Sequence, residues 1–99
     1  MMATVHLLAE IKALEGKEAQ VEQALRALLE PSRHDEGCCQ YELYKDESVA
    51  GLFIMQEIWC SAAALEKHTQ SEHFQHFVAQ SEKNGWLEYL NPRQVTFLG

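Results

Sequence analysis

The stretch LFIMQEIWCSAAALEKHTQSEHFQHF, from Leu52 to Phe77, decides the fold that this sequence predicts. It opens with a short apolar run that is typical of a strand covered on both faces. Because side chains alternate along a strand, a carboxylate stands in a row of bulky apolar groups, namely Phe53, Met55, Glu57 and Trp59. Burying a carboxylate is costly unless it is paired or hydrogen-bonded. Glu57 therefore needs a partner, and the histidines just downstream are the nearest candidates.

Two short helices are predicted after this strand. Ser61 is a good N-cap for a helix that begins at Ala62, and Ser71 can cap a second helix after an interruption at Thr69-Gln70. We expect the second helix to stop at Asn84-Gly85, which is a typical helix end.

The flanking segments complete the pattern. Alternation from Val5 to Ala13 predicts a first strand, and helical spacing predicts a helix from Lys17 to Glu30 that Pro31 ends. The polar segment from Ser32 to Gly37 is expected to be a loop, part of which can extend the end of this helix. A strand around Cys39 to Tyr44 is expected to form an antiparallel hairpin with the strand at Leu52. A last strand is predicted from Val95 to Leu98, and Pro92 makes it begin late, bulge or lie at a sheet edge.

This order of elements predicts an α+β, ferredoxin-like fold, β-α-β-β-α-β, with helices on one face of an antiparallel sheet. The 99 residues are expected to form a single domain, 1–99. The strand at Leu52 is also apolar on its second face, through Leu52, Ile54 and Ile58, which favours a homodimer.

Charge and composition exclude several classes of partner. The net charge is −7 and no basic run occurs, which argues against nucleic acid and against anionic membrane surfaces. No apolar stretch is long enough to span a membrane, and the start at Met1-Met2 has no leader character, so we expect a cytoplasmic protein. Three cysteines without a CxxC motif, Cys38, Cys39 and Cys60, predict reduced structural thiols, with Cys39 buried beside Tyr41.

The chain resembles the antibiotic-biosynthesis monooxygenase family, and in particular its quinol-monooxygenase-like subgroup. The resemblance spans essentially the whole chain and rests on Ser32-Arg33-His34-Asp35-Glu36-Gly37-Cys38 ahead of Tyr41, Glu57-Ile58-Trp59, Leu65, His68, and Ser71-Glu72-His73-Phe74 with Phe77. It implies a dimeric α+β barrel in which the bare sheet face meets a second subunit. It also implies a pocket between sheet and helices, where a small aromatic hydroquinone is deprotonated and reacts with O₂ without metal, flavin or heme.

The resemblance also implies site residues. His68 and Glu57 would be catalytic, and the substrate would be bound by Trp59, His73, Phe74, Phe77 and Tyr41. From the residues alone, His68 can be a general base or a hydrogen-bond partner of Glu57, or it can be a buried histidine that holds helix to sheet. Glu57 can equally cap the following helix or pair with Arg33 or Lys67.

No metal site is predicted. His73 and His76 lie three residues apart, but the string EHFQH is not the HExxH motif and no third ligand is evident. We therefore interpret both as histidines at the rim of the pocket or on the surface.

Two other functions stay open at this stage. One is an isomerase of a small phosphorylated carbonyl compound, for which only Arg33, Lys67 and Arg93 look available to hold a phosphate. The other is a non-catalytic protein for small-ligand binding or stress protection, with an apolar pocket that has no titrating group at its centre. Heme degradation is disfavoured, because the first strand offers His6 where those members use an asparagine, His68 stands at the position of their helix tryptophan, and no histidine follows His76. Polyketide oxygenation is disfavoured as well, because the asparagine and tryptophan of those members have no counterparts between Ala62 and Gln70.

Overall fold

A computed structural model describes residues 3–99, so the expected absence of a leader at Met1-Met2 lies outside the described residues. Its elements are β1 (Val5–Ala13), α1 (Glu18–Arg33), β2 (Cys38–Lys45), β3 (Leu52–Trp59), α2 (Ala62–Thr69), α3 (Glu72–Asn84) and β4 (Leu87–Val95). The strands form one antiparallel sheet in the order β2-β3-β1-β4. The predicted ferredoxin-like layout is confirmed.

Strand β3 alternates as predicted. Phe53, Met55, Glu57 and Trp59 are buried, whereas the residues between them are only partly buried. The register places Glu57 opposite Tyr41 of β2 on one side and opposite Leu7 of β1 on the other. The carboxylate therefore lies at the centre of the sheet face that carries the core.

The predicted helix ends around the histidines are confirmed. The Ser61 hydroxyl accepts a hydrogen bond from the Ala64 amide at 3.2 Å, and the Ser71 hydroxyl accepts one from the Phe74 amide at 3.3 Å. Ser71 also donates to the carbonyl of His68 at 2.6 Å, which fixes the corner between α2 and α3. The chain leaves α3 through Gly85 in the left-handed conformation that a glycine adopts without strain.

Helix α1 does not end at Pro31, so the predicted end there is wrong and the alternative, in which part of the following segment extends the helix, is confirmed. The helix continues to Arg33 because its last turn is held by the rest of the fold. Ser32 is fully buried, and the Arg33 side chain donates to the carbonyl of Tyr41 at 2.9 Å. These tertiary contacts outweigh the local cost of a proline inside the helix.

The predicted position of the last strand is also wrong. The strand spans Leu87–Val95, and Phe97 and Leu98 lie beyond it. Pro92 lies inside this strand, which is at the edge of the sheet and has a neighbouring strand, β1, on one side only. A proline, which has no N–H to donate, is tolerated in such an edge strand. Phe97 instead stacks on His6 with the two ring centres 5.6 Å apart.

The expected burial of Cys39 is also wrong, because strand pairing is irregular at this position. The pairing of β2 with β3 shifts register between Cys38 and Gln40, so the simple alternation on which the prediction relied breaks. Cys39 is exposed, whereas Cys38 is partly buried and pairs with Trp59. The three thiols are free in the part of the chain that the structure describes.

Along residues 3–99, no helix has both the length and the apolar character needed to cross a membrane. The cytoplasmic location stays a prediction.

Candidate functional site

A small cavity of about 90 Å³ lies between the sheet and the helices. Five of the residues proposed for the site line it: Tyr41, Glu57, His68, Phe74 and Phe77. The other lining residues are mostly apolar, namely Leu7, Ala9, Ile11, Leu25, Leu28, Met55, Thr69, Leu90 and Pro92. An imidazole and a carboxyl group, together with the side chains of Tyr41 and Thr69, therefore line a mostly apolar cavity.

Trp59 and His73 occupy other positions. Trp59 is fully buried, and its ring centre lies 4.7 Å from that of His68. His73 lines a separate groove beside α1 and α3, together with residues such as Leu28, His76 and Trp86. Trp59 supports the cavity, and His73 reaches His68 through a third residue.

That third residue is Asp35, in the loop between α1 and β2. Its Oδ2 atom lies 2.8 Å from Nδ1 of His68 and 2.9 Å from Nε2 of His73. Nδ1 of His68 therefore bonds to Asp35 and not to Glu57, the partner that the sequence suggested. Sequence reasoning assigned Asp35 no role, although it lies in the Ser32–Cys38 motif.

His68 is held tightly from all sides. It is 1% exposed, and the rings of Trp59, Phe74 and Tyr41 surround it at 4.7, 5.1 and 5.3 Å between centres. Its second ring nitrogen, Nε2, is buried and has no hydrogen-bond partner among residues 3–99. The imidazole that carries this unpartnered nitrogen is one of the groups that line the cavity.

The environment of His68 sets its proton arrangement. Burial lowers the pKa of His68, and the hydrogen bond and charge of Asp35 oppose this effect. An ionised carboxylate can only accept, so a neutral His68 that bonds to it carries its proton on Nδ1. Nε2 then presents a lone pair, which is the arrangement of a general base oriented by a carboxylate.

The carboxyl group of Glu57 has a hydrogen-bond partner within its own strand, β3. Its Oε1 accepts a hydrogen bond from the indole N–H of Trp59 at 2.9 Å. The side chain is almost fully buried, and this burial raises the pKa of Glu57 to about 7, although the Trp59 bond opposes the rise. The carboxyl can thus be present in either protonation state near neutral pH.

The other partners considered for Glu57 are wrong. Ser61 provides the side-chain cap of α2. Arg33 pairs with Glu42 at 3.1 Å, and Lys67 lies 3.8 Å from Glu36.

Gly37 fixes the loop that carries Asp35. Its φ of +83° is in the left-handed region, and a Cβ atom there would lie 2.5 Å from Cβ of Ala64 and 2.7 Å from Sγ of Cys60. The carbonyl of Gly37 accepts from the Cys60 amide at 2.8 Å. The loop therefore rests directly on the start of α2, at a distance that only glycine permits.

We expect Gly37→Ala to lower the free energy of unfolding by about 2–6 kcal/mol, because left-handed strain and overcrowding each cost about 1–3 kcal/mol. The matched control is Gly16→Ala, whose φ is +89° but whose Cβ would meet nothing within 4 Å. The control should therefore lose only the part of the unfolding free energy that left-handed strain costs, about 1–3 kcal/mol. Urea unfolding of both variants measures the difference, and equal losses would contradict the close approach at Gly37.

The cations considered for a phosphate site are used elsewhere. Arg33 and Lys67 pair as described, and Arg93 lies 3.7 Å from Glu10. None of these three lines the cavity. The described residues thus offer little to hold a phosphorylated substrate at this place.

One group of side chains could hold a metal ion. Asp35, His68 and His73 bring ligand atoms within 4.8 Å of one another. The pair considered from the sequence, His73 and His76, is not this group.

Known proteins resemble this chain over most of its length. The sequence profile of the family described as antibiotic biosynthesis monooxygenase matches residues 4–80. The chain belongs to this family. The match covers β1 to most of α3, and so includes Asp35, Glu57, His68 and His73.

Two relatives place the chain more closely. "Putative monooxygenase YcnE" of Bacillus subtilis is 34% identical over 77 residues, which are 78% of this chain and 81% of YcnE. The protein sll1783 of Synechocystis is 35% identical over 71 residues, which are 72% of this chain. That match spans only 48% of the Synechocystis protein, about half its length.

A solved structure supports the fold. The crystal structure of PA3566 from Pseudomonas aeruginosa is 39% identical and superposes with a TM-score of 0.91. The comparison covers all of this chain and 99% of that chain.

Proposed function

We propose that this family member is a cofactor-independent monooxygenase that oxidises a small aromatic hydroquinone with O₂. The observation that carries the proposal is the position of His68. His68 lines the apolar cavity, its Nδ1 is bonded to Asp35, and its Nε2 is buried without a hydrogen-bond partner among the described residues. The names of relatives such as YcnE support the reaction class, and the cavity supports an aromatic substrate.

The chemistry needs a base and an enclosure. Nε2 of His68 takes a proton from a hydroxyl of the substrate, and the resulting anion transfers an electron to O₂. The semiquinone and superoxide combine at a ring carbon that carries a hydrogen, which forms a carbon–oxygen bond. The C–H bond at that carbon and the O–O bond then break together, so the carbon becomes a carbonyl and the hydrogen leaves with the outer oxygen as hydroxide. His68 returns its proton to this hydroxide, so hydroquinone and O₂ give hydroxyquinone and water. The hydroquinone supplies all four electrons, and no further reductant is required.

Glu57 and the aromatic walls have separate parts in this scheme. Glu57 faces the same cavity, and a carboxyl with a pKa of about 7 can donate to or accept from a substrate oxygen. Tyr41, Phe74 and Phe77 surround the ring and keep water from the reacting anion. A purely binding protein was expected to have an apolar pocket without titrating groups, so Glu57 and His68 favour an enzyme.

Cavity size limits the substrate. A protein cavity of about 150 Å³ is known to bind benzene, so a cavity of about 90 Å³ must widen slightly even for one ring. We therefore expect single-ring hydroquinones to react faster than naphthoquinols, and naphthoquinols faster than anthrones.

Oxygen uptake tests the proposal. Chelator-treated protein is mixed with this panel of substrates in the presence of superoxide and peroxide scavengers, and uptake is compared with a heat-denatured control. Uptake that scales with protein concentration and falls with ring number is expected. Uptake equal to that of the control, from folded protein, would sink the proposal.

We also propose a homodimer that forms through the sheet face opposite the helices. Supporting this, apolar side chains remain accessible on that face, among them Leu8, which is 37% exposed, Ile54 and Ile58. Leu8→Glu should convert a dimer into a monomer in sedimentation analysis, because it places a charge within the contact. Leu14→Glu, at a residue that is 40% exposed and lies beyond β1, is the control and should leave the dimer intact. A monomeric parent protein would contradict the proposal.

A further inference from the structure

We propose that Asp35, His68 and His73 form a binding site for a divalent first-row transition ion such as Zn²⁺. The three ligands come from three elements: the loop after α1, the last turn of α2 and the first turn of α3. The Ser71 hydrogen bond between the two helices and the packing of Gly37 against α2 hold these elements together.

The distances fit a shared ion. Nδ1 of His68 and Nε2 of His73 lie 2.8 and 2.9 Å from Oδ2 of Asp35, and all three ligand atoms lie within 4.8 Å of one another. Ligands bound at about 2.1 Å to one ion are about 3.0–3.4 Å apart. Small side-chain movements therefore suffice to replace the two hydrogen bonds by metal–ligand bonds.

The ligand set selects the class of ion. Two imidazoles and one carboxylate suit zinc, iron, copper or nickel, whereas magnesium and calcium prefer oxygen ligands alone. The side chains of Asp35 and His73 are 19% and 23% exposed, so an ion can reach them from the surface. Three protein ligands leave further coordination positions to water.

Metal binding would change the chemistry of His68. An ion on Nδ1 displaces the proton there, and a neutral imidazole then carries its proton on Nε2. Nε2 then changes from an acceptor to a donor and can no longer remove a proton. Zinc should therefore inhibit the oxygenase, and this consequence alone rests on the proposed function.

Calorimetric titration of Zn²⁺ into tag-free protein tests the site. We expect one ion per chain, with affinity weakened about 100-fold or more in Asp35→Asn and in His73→Gln. The loss should be this large because removal of an outer-shell partner alone typically costs about 10–100-fold. His76→Gln is the matched control and should bind as the parent protein does, because His76 lies on the same helix outside the ligand group.

Nitrogen NMR of His68 provides a readout that needs no substrate. Saturation with Zn²⁺ should move the ring proton from Nδ1 to Nε2. The proposal is overturned if Zn²⁺ does not bind saturably to folded protein, or if Asp35→Asn and His73→Gln both bind Zn²⁺ as tightly as the parent protein. It is also overturned if Cys39→Ser, rather than these two variants, weakens Zn²⁺ binding. Because binding is measured without substrate, failure of the oxygenase proposal and failure of the metal site give different results.

Discussion

His68→Gln is expected to lower the rate of hydroquinone-dependent oxygen uptake by about 100-fold or more, because positioned general bases typically contribute about 10²–10⁴-fold. Glutamine is similar in size to histidine and limits the cavity that alanine would leave among Trp59, Tyr41 and Phe74. Its amide cannot take a proton from a substrate hydroxyl. The fold should therefore survive while turnover is lost. Folded His68→Gln protein with unchanged turnover would exclude His68 as the base.

Asp35→Asn probes the same base through its partner. An amide can present either its oxygen or its NH₂ group to Nδ1 of His68, so the imidazole is no longer held in one tautomer. We expect a fall in turnover of about tenfold or more with little change in KM. The exposed His34→Gln serves as the control, since the side chain of His34 is 76% exposed and lies one residue from Asp35.

The sequence predicted the fold well where the pattern was local and long. The alternation in β3 identified its buried face, and Ser61, Ser71 and Gly85 marked ends of α2 and α3 by their own side-chain or backbone chemistry. It failed where distant contacts decide the outcome. Burial of the turn after Pro31, and the pairing of β4 with β1, depend on residues far along the chain.

The candidate site was predicted in part for the same reason. Glu57 was identified because a carboxylate among bulky apolar residues is unusual in a sequence, and His68 was identified because it matches a motif position of the family that the chain resembles. The partner of His68 was not predictable, since Asp35 lies 33 residues before His68 and only the fold brings them together. Leu90 and Pro92 line the cavity because β4 begins earlier than the sequence predicted.

Glu57→Gln should make the protein more stable at alkaline pH and remove part of its pH dependence. Burial raises the pKa of Glu57 from 4.5 to about 7 in the folded chain. The folded state therefore holds a proton that the unfolded state releases, and stability falls as pH rises from about 4.5 through about 7. The full loss is about 3 kcal/mol. Glutamine is never charged, and its side-chain oxygen can still accept from Trp59.

The difference in unfolding free energy between the parent protein and the Glu57→Gln variant isolates this effect. His68, Tyr41 and Cys38 also titrate near Glu57, but they are present in both proteins, so their own contributions largely cancel. Urea unfolding from about pH 4 to pH 9 should give a difference that is smallest at the acid end and grows by about 3 kcal/mol in favour of the variant above neutral pH. A difference that stays constant with pH would mean that Glu57 titrates as an exposed carboxyl does. In that case it could not act near neutral pH as both donor and acceptor for a substrate oxygen, and His68 would be left as the cavity's one proton-exchanging group.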